Sequence, residues 1–99
     1  MGTTTTPIDG RLLASLHFDS VEDAGREMLF LTAKARLSGY REEEERFEKK
    51  YGVEFETFQA RVNARVNEEV FEEEDDLMDW RYVHEAAAYW SAKVAELAP

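Results

Sequence analysis

Apolar residues recur along this chain in steps of three and four over most of its length, which is the spacing of helix faces. The pattern starts sharply at Ser20. That residue can cap a helix, Asp23 stands three positions behind it as in a capping box, and Glu22 and Asp23 suit the positive end of the helix dipole. Val21, Ala24, Met28, Leu31 and Ala35 then form one stripe, and Phe30, Ala33, Leu37, Tyr40, Phe47 and Tyr51 form a second. The stripes overlap at Met28-Leu29-Phe30-Leu31, where the helix is apolar on most sides and is expected to be buried. Gly39 is the weak point, because Gly costs about 1 kcal/mol relative to Ala inside a helix. The segment from Ser20 to Tyr51 reads either as one helix kinked there or as two joined there.

Its end is well marked. Lys49 and Lys50 fall in the last turn, Gly52 suits the left-handed position that closes a helix, and Val53 supplies the apolar residue that follows such a cap. A short helix from about Glu54 to Val66 comes next, with Phe55, Phe58, Val62 and Val66 on one face, folded back at Gly52 as an αα-hairpin. A long C-terminal helix from about Asp75 to Leu97 carries Trp80, Val83, Ala87, Trp90, Val94 and Leu97 in alternating steps of three and four. A second stripe on it adds Met78, Tyr82, Ala86 and Tyr89, making a face wide enough for one neighbour inside the chain and one outside. The expected fold is therefore all-α, with a single helical domain over residues 20–97. Residues 1–19 are expected to be a flexible tail; within it Arg11–Phe18 fits an alternating strand and a helical turn equally well.

Charge adds the next observation. The 99 residues have a net charge of -10, and Glu68 to Asp79 alone hold eight acids and no base. The rest of the chain has 14 acids against 12 bases, close to balance. Mutual repulsion in so dense a run disfavours the folded chain, and a basic surface on a partner protein would offset it. Acids are interleaved here with large apolar residues, as in an interaction segment where charge steers and aromatic side chains anchor. The expected contact set is Glu72, Glu73, Glu74, Asp75, Asp76 and Asp79 as steering acids and Phe71, Leu77, Met78 and Trp80 as anchors, with Trp90 either there or in the core.

Other chemistry has little material. With no cysteine there is no disulfide framework and no thiolate metal site. His17 and His84 have no evident catalytic partners, and neither is preceded by the Glu three residues back that a helical di-iron site requires. The acidic run lacks the spaced ligands and central Gly of a calcium loop. No enzyme activity, metal or cofactor is expected. His84 reads as a surface or interface residue. Glu42–Glu45 reads as a solvated face with Glu42–Arg46 and Glu45–Lys49 pairs. A strand at Arg11–Phe18 followed by a helix, with Arg61 and Arg65 as a small basic patch, would suit DNA, but the overall charge opposes nucleic-acid binding by this chain alone. No apolar run approaches the roughly 18 residues that cross a membrane, and the N-terminus lacks a secretory pattern, so the cytoplasm is the expected compartment.

Tyr40 to Phe58 (YREEEERFEKKYGVEFETF), with Lys50-Tyr51-Gly52 and Phe55-x-x-Phe58, followed by Glu74-Asp75-Asp76-Leu77-Met78-Asp79-Trp80, resembles a recurring prokaryotic pattern. It is similar to small acidic antitoxins of type II toxin–antitoxin pairs. The similarity spans about residues 20–97 and departs at Glu54, where Ser or Thr is usual as the helix cap. The resemblance implies no catalytic residue. It implies a complex in which the acidic stretch and the last helix contact a small basic toxin that targets RNA. A homodimer through the Trp80–Leu97 seam, or an autorepressor that meets DNA only together with its partner, are the competing expectations.

Overall fold

The computed structural model describes residues 7–65 and 68–99, so the first six residues of the expected tail and the Val66 position on the short helix lie outside the described residues. Among the described residues the chain is all-α: α1 Gly10–Ser15, α2 Val21–Tyr51, α3 Phe55–Asn63 and α4 Phe71–Leu97. The ambiguous Arg11–Phe18 segment is helical as far as Ser15, within the short helix α1. Asp9 caps it by accepting from the Arg11 backbone at 2.8 Å, and His17 closes it in the left-handed region at φ 64°.

Helix α2 runs unbroken through Gly39. A Cβ at Gly39 would meet nothing within 4 Å, so no close contact demands glycine there, and Leu37 and Tyr40 on either side continue the face that meets α4. Ser20 Oγ accepts the Asp23 N–H at 3.0 Å, and Gly52 closes the far end at φ 68°, both as the sequence signals. Glu54 makes no side-chain cap on α3, as its length suggests. Helix α4 begins four residues earlier than the pattern implies. Glu72, Glu73 and Glu74 occupy its first turn, where the dipole favours acids. Most of the acidic stretch is therefore helix.

Helices α2 and α4 form a long antiparallel pair: Lys50 reaches Asp76 at one end, and Arg26 donates to the Glu96 carbonyl at 3.2 Å at the other. The stripe Ala33-Leu37 meets the Trp80-Val83-Ala87 seam. Helix α3 turns back beyond Gly52, sets the Phe58 ring 4.1 Å from that of Tyr51, and packs chiefly against the first half of α4. The centre of the core is Trp80. Its indole is fully buried among Phe47, Phe55 and Phe58, with ring centroids 5.3–5.7 Å away, and its Nε1 donates to Glu44 at 3.2 Å.

This third layer covers one end only. Farther along, Phe30, Trp90, Val94 and Leu97 are half-buried in a bare helix pair. The overlap of the two α2 stripes is not buried as its composition suggests: Met28, Leu29 and Leu31 are exposed, because among the described residues no helix covers their side of α2. The molecule measures 65 × 38 × 18 Å with a radius of gyration of 20.7 Å, against about 13 Å for a compact chain of this length.

Candidate functional site

The acids of α4 divide by what lies beneath them. Lys50 Nζ donates to Glu72 Oε1 and Asp76 Oδ2, both at 2.7 Å, and the Tyr51 hydroxyl also donates to Asp76. Arg65 Nη2 donates to Glu73 at 2.7 Å. Burial is the largest single influence on Asp76 and pushes its carboxyl up, but the donors Lys50 and Tyr51 together outweigh it and hold the group below the usual carboxylate range. Burial, aided by the Asp76 carboxylate, pushes the Tyr51 hydroxyl up to about 12. The same carboxylates raise Lys50 above the ordinary lysine value. Three acids expected to face a partner, Glu72, Glu73 and Asp76, are thus engaged inside the chain. They bind the start of α4 to the end of α2 and to the segment after α3.

Two of the expected anchors are also internal. Leu77 is 6% exposed and Trp80 0%. Both point toward α3 and α2, because the three-and-four seam that includes Trp80 is the one α4 uses within the chain. Trp90 is half-buried against α2, with the Arg36 guanidinium 5.9 Å from its ring. The same geometry corrects the homodimer expectation, since the Trp80–Leu97 seam is occupied by α2. Arg65 pairs with Glu73, and Arg11–Phe18 is no strand, so neither element of the DNA-binding expectation stands as drawn.

What remains outside is ordered. Phe71, Asp75, Met78, Tyr82, Glu85 and Tyr89 follow one another in steps of four and three along the side of α4 opposite Trp80. Phe71 is 70% exposed, Met78 68% and Tyr82 65%. Glu74 and Asp79 are exposed beside them. Phe71, Met78, Glu74, Asp75 and Asp79 belong to the contact set expected from sequence; Tyr82, Glu85 and Tyr89 extend it. The signal for Tyr82 and Tyr89 is the second α4 stripe, which lengthens by one heptad when counted back to Phe71; Glu85 falls outside that stripe. An open cleft of about 490 Å³ beside this stripe is lined by Glu43, Phe47, Asp79 and Tyr82 among others.

A second polar cluster sits under the core. Glu44 Oε2 lies 2.5 Å from His84 Nδ1 as well as accepting from Trp80, and Glu56 lies 3.4 Å from His84 Nε2. The imidazole stacks on Phe55 with centroids 4.5 Å apart. His84 thus pins α2, α3 and α4 together and is not a free surface residue. Glu44 is half-buried in this role, while Glu42, Glu43 and Glu45 form the exposed face expected. The ion pairs expected at Glu42–Arg46 and Glu45–Lys49 are not among those formed by the described residues. Among the described residues no three His, Asp or Glu side chains converge as metal ligands, and no helix is long and apolar enough to cross a membrane. Comparison with protein-family models, curated proteins and solved structures gives no match for this chain.

Proposed function

We propose that this protein is an antitoxin-like binding protein that neutralises a small basic, RNA-targeting partner by covering its surface with α4. One observation carries the reading. The outward stripe of α4 alternates large apolar side chains with acids, and it lies largely outside the core: Tyr82 touches α2 only at its edge, with its ring 6.1 Å from that of Tyr40 and the two hydroxyls 3.5 Å apart. Phe71, Met78 and Tyr82 offer apolar anchors, while Glu74, Asp75, Asp79 and Glu85 supply charge that neither Lys50 nor Arg65 neutralises. Aromatic and Met side chains ringed by one sign of charge suit an oppositely charged protein surface, where apolar contacts set the dissociation rate and charge sets the association rate. The resemblance of Lys50–Phe58 and Glu74–Trp80 to antitoxin sequences supports the same partner class.

The test is co-expression and co-purification with the product of the adjacent gene, followed by association kinetics over a range of salt. A Glu74→Gln, Asp75→Asn, Asp79→Asn triple variant should associate several-fold more slowly, with a shallower salt dependence. Met78→Ala and Tyr82→Ala should instead speed dissociation. A triple variant that binds that product at the original rate and salt slope would refute the acidic-docking reading.

A further inference from the structure

Among the described residues, the first apolar stripe of α2 is left largely uncovered, with only Ala24 half-buried. Ala33 and Leu37 face α4, which leaves Val21, Ala24, Met28, Leu31 and Ala35 on the opposite side of the helix. Met28 is 63% exposed, and Val21 and Leu31 are at least half exposed. Their steps of three, four, three and four are those of a coiled-coil seam. The stripe lies at the end where α3 adds no third layer. The exposed Leu12 of α1, with Ile8 and Leu16 flanking that helix, precedes the same end of α2 in the chain.

Charge distinguishes what could cover it. From Val21 to Leu37 three acids (Glu22, Asp23, Glu27) meet three bases (Arg26, Lys34, Arg36). This surface does not repel a copy of itself, whereas the outward face of α4 does. With the seam residues at heptad positions a and d, Glu27 and Lys34 both fall at position g. In an antiparallel pair the g flank of one helix meets the g flank of the other, so Glu27 crosses Lys34 of the second copy. In a parallel pair each would meet the uncharged flank formed by Gly25 and Thr32. The same antiparallel register sets Met28 against Leu31 at the centre. Ala24 then meets Ala35 on either side, where small side chains let the backbones approach.

We infer that the free face of α2 is a homodimer surface, antiparallel, through which two copies of this chain form a four-helix assembly centred on Met28 and Leu31. It stands independently of the proposed function, because it uses the face of another helix.

Sedimentation equilibrium of the full chain alone, over a wide concentration range, tests it. The wild-type chain should fit a monomer–dimer equilibrium. Met28→Asp should weaken the dimer by more than about tenfold, since it places a charge in the seam. Leu31→Asp serves as the second seam variant, and circular dichroism checks that both keep their helix content. Glu27→Lys should weaken the dimer roughly threefold, and adding Lys34→Glu should restore it. A chain that stays monomeric at every concentration would overturn the proposal, as would a dimer indifferent to both seam variants. Failure of the charge reversal to restore pairing would overturn the antiparallel register.

Discussion

Replacing Trp80 with Ala separates holding the fold from binding a partner. A Trp side chain buries on the order of 150–250 Å², which at about 25 cal/mol per Å² corresponds to roughly 4–6 kcal/mol of burial as an upper bound. Trp80 is completely enclosed, stacked at 5.4 Å on Phe47 and wedged between α2 and α3. Truncation therefore leaves a cavity, and Trp to Ala changes in such sites typically cost about 3–5 kcal/mol. A domain of this length has about 5–15 kcal/mol of stability in all. An elongated molecule with one end of its helix pair uncovered belongs at the lower end, so Trp80→Ala should remove most of it. Urea unfolding followed by circular dichroism at the helix band measures the loss. In a Trp90→Phe background, Trp80 becomes the only indole, and its emission should be blue-shifted when folded and red-shift on unfolding. Met78→Ala is the matched control: it lies two residues away, is 68% exposed, and should change stability by less than about 0.5 kcal/mol. If Trp80→Ala unfolds at the wild-type urea concentration, or if Met78→Ala costs as much, the division of α4 into an inner and an outer face is wrong.

Other perturbations follow from the same geometry. Gly52→Ala should cost about 1–2 kcal/mol, because φ 68° disfavours a Cβ even though nothing lies within 4 Å of it; Gly39→Ala, in open helix, should instead stabilise by about 0.4–1 kcal/mol, both read from urea midpoints. Glu44→Ala should destabilise by about 1–3 kcal/mol, since it leaves the buried Trp80 Nε1 without its acceptor. In alkaline titration of phenolate absorbance one tyrosine, Tyr51, should ionise at about 12. With its folded value raised, its contribution to stability is complete below about pH 10 and is lost as pH rises through about 12. Asp76 has the opposite sign. Its lowered value contributes stability above about pH 4 that disappears as pH falls through the folded value, and Asp76→Asn should abolish that acid limb.

The helices were readable because their signals are local. Ser20 and Gly52 terminate α2 through their own side-chain and backbone chemistry, and the three-and-four spacing of Trp80 to Leu97 describes one face of one helix whatever lies nearby. The partner of each face was not readable, because that depends on residues far apart in sequence. Glu44 and His84 looked like a solvated acid and a lone imidazole; only the antiparallel pairing of α2 and α4 brings them together. The acidic run looked uniform for the same reason. The bases that engage Glu72, Glu73 and Asp76 lie 8 to 26 positions earlier, on other elements. Gly39 misled in the other direction. A local propensity cost of about 1 kcal/mol is small beside the packing of a helix that meets α4 along most of its length.

Sorting the acids by partner changes what the charge excess means. If all eight acids of the run faced outward, the start of α4 would be a site of repulsion that only a basic protein could relieve. Three of them instead anchor α4 to Lys50, Tyr51 and Arg65, so part of the acidity stabilises the chain's own fold. The remaining outward acids share their helix face with Phe71, Met78 and Tyr82, residues that stay largely exposed after the intramolecular packing is complete. Substituting the inner acids should therefore lower stability first and binding only as a consequence, whereas substituting Glu74, Asp75 and Asp79 should change association while leaving the urea midpoint in place. A single contact set holding all these acids would predict the same effect for both. A stability measurement beside each binding measurement decides between them, since an inner-acid variant that binds poorly at full stability would return those residues to the interface.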